Sequence, residues 1–281
     1  MATFITSKAI GEIINIKIET TTGYMKYNHN GADSSALIAS GIVPITVANA
    51  NGEVTLMSCN SDGTVNGNIT LLGLVGNQLT SFDGTGLSNL NTLNLTNNQL
   101  TSFDGTDLSS LTKLELSSNQ LTSFDGTGLS ASLKSLELAS NQLTSFDGTD
   151  LSGLLNLILC GNQLTSVDVS TMVLLRNFQL SDSYGTLTNP MTAVSNDSIL
   201  SQLNTNGVVS GNFITVNGRT STGTADYNAL IGDGWNLLGL DLVASPTTTT
   251  TTTEAPTTTT TTTPPVVGSG KLRVKGVTTS I

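Results

Sequence analysis

The sequence predicts a repeat solenoid built around a parallel β-sheet. Three observations carry that prediction. The string NQLTSFDGT at residues 77–85 returns at 98–106, 119–127 and 141–149. Asn77, Asn98, Asn119, Asn141 and Asn162 follow one another at 21 residues, with a single 22 where GLSASL holds an extra residue. Leucines keep fixed offsets around each asparagine, as in Leu90, Leu93, Leu95 and Leu100 and again in Leu111, Leu114, Leu116 and Leu121. Self-similarity at a period of this size marks a stack of like coils, none of which buries its apolar face alone.

Each position of the repeat has a physical reason. In LNTLNLTNN, residues 90–98, Leu93 and Leu95 alternate with polar neighbours, which is the period of a strand with one buried face. Stacked coils then place successive strands side by side in a parallel sheet. The asparagine follows where the chain must turn, and its amide can bond backbone groups of its own and adjacent coils. Asn77, Asn98, Asn119, Asn141 and Asn162 are therefore expected to form an internal ladder. Leu79, Leu100, Leu121, Leu143 and Leu164 point inward after the turn, and Phe82, Phe103, Phe124 and Phe146 should stack as a second apolar spine. The Asp-Gly pairs that follow suit tight turns, Asp capping local amides and Gly accepting positive φ. Repeated aspartates also invite a calcium reading, but calcium takes six or more oxygens and the repeat offers one regular carboxylate per coil. No metal ligand set is assigned.

The pattern LxxLxLxxNxL, repeated five times, resembles the leucine-rich-repeat family, and the short coil without a helical return leg is most similar to bacterial repeats of the internalin kind. The resemblance implies a solenoid over 67–187 and recognition of a protein or glycan on the sheet face. The outward strand positions are then the candidate binding residues: Thr92, Asn94 and Thr96; Lys113, Glu115 and Ser117; Ser135 and Glu137; Asn156 and Ile158; Asn177 and Gln179. They are small and polar, without the aromatic anchors of a typical protein hot spot.

Solenoids need closed ends. Residues 1–66 read as a β-rich N-terminal cap or small domain used for attachment, with strand-like IINIKIETTTGYMKY and a hairpin expected around ANANG. Beyond Asn162 the pattern decays, and Ser183 stands where the next asparagine is expected. Residues 188–245 read as a small αβ C-terminal cap: a helix in SNDSILSQLNTNG, a strand in NFITVNG, a second helix in TADYNALIGDG and a last strand in WNLLGLDLV. Residues 246–266, threonines between prolines, lack the apolar side chains of a core and read as a disordered linker. The tail, 267–281, alternates basic and apolar residues through Lys271, Leu272, Arg273, Val274 and Lys275. Such a strand-like peptide suits addition to a sheet edge, and it reads either as an attachment segment or as a free tail.

Composition narrows the function. Only 11% of residues are charged and 4% aromatic, the net charge is −10, and there is one histidine, His29. An acidic chain without a basic face argues against nucleic acid. No nucleophile stands with a base, no glycine-rich phosphate loop follows a strand, and no cofactor or enzyme activity is expected. No apolar stretch approaches a membrane span, and the first residues do not read as a secretory signal. Cys59 and Cys160 lie several coils apart, too far for a disulfide, and two free thiols are expected. A leucine-rich solenoid, a Thr/Pro tether and no evident export signal resemble surface proteins of bacteriophage particles. The expected role is therefore a virion head or tail decoration or fibre component, bound to other virion proteins by a terminal segment and displaying the solenoid to a host protein or glycan. A bacterial cell-surface adhesin and a cytosolic scaffold remain the alternatives.

Overall fold

The computed structural model describes the backbone of segments 2–6, 13–20, 24–29, 32–33, 41–46 and 53–59, and residues 69–243 apart from 130, 183–185, 216 and 242. The expected linker, 246–266, and the tail with Lys271, Leu272, Arg273, Val274 and Lys275 lie outside the described residues.

The N-terminal strands are β1 (Ala2–Thr6), β2 (Ile13–Thr20), β3 (Tyr24–His29), β4 (Ala32–Asp33), β5 (Gly41–Thr46) and β6 (Glu53–Cys59). The first coil follows with two legs, β7 (Ile69–Gly73) and β8 (Leu79–Asp83). The hairpin expected around ANANG does not form. β5 pairs with β2, while β6 pairs with β1 and β3, so the two strands belong to different sheets. The reason lies in the partners they join. β2 pairs antiparallel with β7 and β1 pairs antiparallel with β8, so the two partners extend different legs of the first coil. β5 adds to the remaining edge of β2 and β6 to that of β1, which draws them into separate sheets.

From β7 the sheet grows one short parallel strand per coil: β9 (Thr92–Asn94), β10 (Lys113–Glu115), β11 (Ser135–Glu137), β12 (Asn156–Ile158) and β13 (Asn177–Gln179). Each three-residue strand buries its middle residue and half-exposes the two beside it. The middle residues stack in register from Leu72 and Leu93 through Leu114, Leu136 and Leu157 to Phe178, all at 0% exposure. Burying one such leucine stabilises the fold by about 1.5–3 kcal/mol.

Sheet growth does not stop at 187. Helix α1 (Ala193–Asn206) returns the chain to β14 (Asn212–Ile214), and helix α2 (Thr224–Gly232) returns it to β15 (Asn236–Leu238). Asn177, Asn212 and Asn236 stand in register, so β14 and β15 extend the same parallel sheet. The helices and strands expected in 188–245 are present, but they build two further coils whose return legs are helical. Thr192 caps α1 by accepting the Ser195 N–H, and Gly207 closes it in the left-handed conformation at φ 67°. Trp235 is core, 3% exposed, with its indole N–H donated to the Val208 carbonyl at 2.7 Å.

From Asn98 to Asn162 the asparagine ladder forms as expected, and it then continues past its last predicted rung. The Asn98 side-chain oxygen accepts the N–H groups of Asn77 and Leu79 at 3.0 Å each, and its NH2 donates to the carbonyls of Leu74 and Leu95 at 2.9 Å. Asn119, Asn141 and Asn162 repeat the arrangement. The next rung is Asn189, not position 183. It accepts the Leu164 N–H at 2.9 Å and donates to the carbonyls of Leu159 and Leu180 at 2.8 and 2.9 Å. A longer turn delivers the same amide to the same backbone groups.

The return legs depart from expectation in one respect. Phe82, Phe103, Phe124 and Phe146 stack with centroids 6.4, 6.4 and 6.0 Å apart. Their rings lie nearly parallel, with interplanar angles of 7°, 10° and 12°. The Asp-Gly glycines do not use positive φ. Gly84 and Gly105 are required by space, because a Cβ there would come within 2.9 Å of Leu108 and 2.8 Å of Leu129 in the next coil. The left-handed residues instead precede the ladder asparagines: Gly76, Asn97, Ser118, Ser140 and Gly161, with φ between 55° and 70°.

Candidate functional site

The sheet face presents two columns of side chains, one from each flank of the buried middle residue. The first column runs Thr92, Lys113, Ser135, Asn156, Asn177, then Asn212 and Asn236. The second runs Asn94, Glu115, Glu137, Ile158, Gln179, then Ile214 and Leu238. All twelve sequence-predicted face residues are half-buried, with Thr96 and Ser117 just beyond the strands. The structure therefore brings the predicted set onto one surface. It adds Asn212, Ile214, Asn236 and Leu238, which sequence reasoning assigned to a separate cap. The strand signal in NFITVNG and WNLLGLDLV is visible, but no spacing sets the register of either segment against β13.

Along this face the chemistry changes. On β10 and β11, Lys113 pairs with Glu115 and lies 3.9 Å from Glu137. The hydrogen bond to Glu115 holds the Lys113 ammonium above its usual pKa, assisted by the charges of Glu115 and Glu137 against the opposing effect of burial. Glu137 is raised, chiefly because burial disfavours its charged form and then because Glu115 stands beside it in register; Lys113 offsets part of this. From β12 onward no strand residue carries a charge. The first column becomes an amide ladder: Asn156 donates to the Ser135 hydroxyl at 2.9 Å, Asn177 donates to Asn156, and Asn236 donates to Asn212 at 3.1 Å. Gln179 donates across to Asn177 at 3.3 Å.

Cys160 is a free thiol, 5% exposed beside this face, and burial pushes its pKa up. A buried, protonated thiol is a poor nucleophile. The side chain of Cys59 lies outside the described residues. No helix among the described residues is long and apolar enough to cross a membrane.

On the opposite side of the solenoid the aspartates hold turns. Asp83, Asp104 and Asp147 each accept the N–H of the threonine two residues on at 2.9–3.0 Å and its hydroxyl at 2.6 Å. Asp125 and Asp168 accept the backbone N–H of Thr127 and Ser170 in the same way. Hydrogen bonds to the charged form keep all five carboxyls below their usual pKa. One oxygen of each is thus committed to the turn. Among the described residues no three His, Cys, Asp or Glu side chains gather as a metal-holding group.

A repeating LxxLxLxxN strand-and-turn unit, a parallel in-register sheet and a buried asparagine rung in each coil are now all in place. The chain folds as a leucine-rich-repeat solenoid. Among solved structures it is similar to a leucine-rich-repeat protein of Leptospira interrogans, at 25% identity and a TM-score of 0.43 over 56% of this chain and 43% of that one. It is also similar to the functional domain of InlJ from Listeria monocytogenes, described as including a cysteine ladder, at 23% identity and a TM-score of 0.43 over 60% of this chain and 39% of that one. The matched region thus spans less than half of either of those chains. No protein-family model matches this chain, and no curated protein does.

Proposed function

We propose that this chain is a non-enzymatic interaction module that presents the leucine-rich-repeat sheet face to a protein or glycan surface. One observation carries the reading. The return legs are nearly identical from coil to coil, whereas the half-exposed sheet positions differ: Thr92 and Asn94, Lys113 and Glu115, Ser135 and Glu137, Asn156 and Ile158. Stacking demands the repeated leucines, asparagines and phenylalanines, but it places no such demand on side chains directed away from the core. Diversity confined to one face of a rigid platform is what recognition uses.

The setting is part of the same proposal: the outside of a virus particle, with other virion proteins held by residues 1–66 or 267–281 and a bacterial cell surface as the alternative. Fractionating producing cells and released particles, then locating the chain by antibody, separates the two. Face assignment is tested with the purified full chain bound to intact host cells. Replacing Glu115 and Glu137 by arginine on the sheet face is expected to reduce retention, while Thr101→Arg and Thr122→Arg on the return leg leave it unchanged. Loss through the return-leg variants alone would overturn the assignment.

A further inference from the structure

The sheet face divides into two chemically distinct halves, and the second half carries an inference of its own. Across β12–β15 the strand side chains form an amide column, Asn156, Asn177, Asn212 and Asn236, beside a mainly aliphatic column, Ile158, Ile214 and Leu238, with Gln179 between them. Each amide carries two donors and two acceptor positions. The ladder bonds use at most one donor and one acceptor position within the column. Asn212 and Asn236 are exposed and Leu238 is 41% exposed, whereas Ile158 is half-buried and Ile214 is buried. The strip therefore offers a row of paired donors and acceptors at the strand spacing of about 4.8 Å, flanked by C–H surface.

Three features select among ligands. No charged side chain stands on these four strands, so an anionic or cationic chain finds no counter-charge there. They also lack an outward aromatic, methionine or arginine, the anchors on which protein hot spots are built. A ligand matched to the strip must repeat hydroxyl groups along one edge and aliphatic C–H groups along its face. We propose that β12–β15 form a binding strip for a neutral linear polysaccharide, its chain running across the strands. Hydroxyls pair with the amides of Asn156, Asn177, Asn212 and Asn236, and ring C–H faces lie on Ile158 and Leu238. The inference rests on the sheet face being the recognition surface and names what half of it recognises.

The test is calorimetric titration of the full chain with neutral linear glucan and mannan oligosaccharides of two to six units, with polygalacturonate as the charged control. Affinity for a neutral oligosaccharide should rise with length until the four coils are spanned. Asn177→Asp and Asn212→Asp keep the side-chain shape but remove donors, and each should weaken binding about tenfold or more, equivalent to about 1.4 kcal/mol. Their melting temperatures serve as the control for folding, and Thr122→Arg on the return leg should leave binding unchanged. Absence of binding to every neutral oligosaccharide, preference for polygalacturonate, or Asn→Asp variants that lower the melting temperature without weakening binding would each overturn the inference. If no glycan binds while the charged-half variants still abolish retention on protease-sensitive host surface sites, the interaction-module reading stands and the glycan inference alone fails.

Discussion

The repeat coils, 69–182, and the helical coils, 188–240, share one sheet but close it differently. In the repeat coils the return leg is an extended segment held by stacked phenylalanines and aspartate turns. In the others a helix does the same work, and the spine is rebuilt on the sheet side by Phe178 and Phe213, stacked 5.2 Å apart. What both share is the register of the strands, and Asn189, just before the helical coils, supplies the last rung to the backbone of the repeat coils. The sheet register therefore defines the solenoid, and the return leg is replaceable.

The sharpest way to break this comparison is to remove a rung from each region. Asn119→Ala strands the Leu100 N–H, while the Leu95 and Leu116 carbonyls keep the amides of Asn98 and Asn141; Asn189→Ala strands both the Leu164 N–H and the Leu180 carbonyl. At about 1–3 kcal/mol for each buried group left unpaired, Asn119→Ala should lose about 1–3 kcal/mol and Asn189→Ala about 2–6 kcal/mol in urea unfolding. A much smaller loss for Asn189 would separate the two regions. Next in size is Gly153→Ala. The extra residue of the 22-residue coil brings the Ala131 carbonyl oxygen within 1.8 Å of where a Cβ on Gly153 would lie. The corresponding positions in other coils hold Asn89, Ser110 and Ser132. The variant should cost about 2–3 kcal/mol by the same measurement, as backbone crowding does not relax by a rotamer change.

Acid separates the regions more gently, because the hydrogen-bonded aspartate turns belong to the repeat coils. Asp83, Asp104, Asp125, Asp147 and Asp168 have lowered folded pKa values, so their stabilising contribution is present above the unfolded value of about 3.9 and is lost as pH falls through the lower folded values. Glu137 runs the other way. Its folded pKa is raised, so protonation as pH falls through that raised value relieves destabilisation. Thermal melts should therefore show little loss down to about pH 4.5 and a steeper loss below about pH 4, carried by signals from 69–182. The smallest effect is a gain: Ser118→Gly or Ser140→Gly removes the Cβ from a residue at φ 57° or 55° and should raise stability by up to about 1 kcal/mol in urea.

Legibility in the sequence followed the same division. Identical coils average out local ambiguity, so the leucine offsets, the rungs from Asn77 to Asn162 and the phenylalanine spine could be read directly from 69–182. The outward face was legible there too, because a strand with period two leaves only one assignment once its buried residue is known. Asn189 escaped because the turn before it is longer, and a rung is recognised in sequence by spacing but made in space by hydrogen bonds. Asn212 and Asn236 escaped because helices of different length separate them from Asn177, which removes the spacing that would set their register. The N-terminal strands paired across two sheets, and no local signal records which of two distant edges a strand will join. The glycines of the Asp-Gly pairs were misread because turn chemistry and close packing select the same residue for different reasons.

Native-state hydrogen exchange on the full chain tests most directly whether a single ladder unites the two regions. The Leu164 amide, bonded to Asn189, should exchange as slowly as the Leu143 amide, bonded to Asn162, and Asn189→Ala should release it. A Leu164 amide that exchanges freely in the wild-type chain would contradict a continuous solenoid and remove Asn212 and Asn236 from the recognition face.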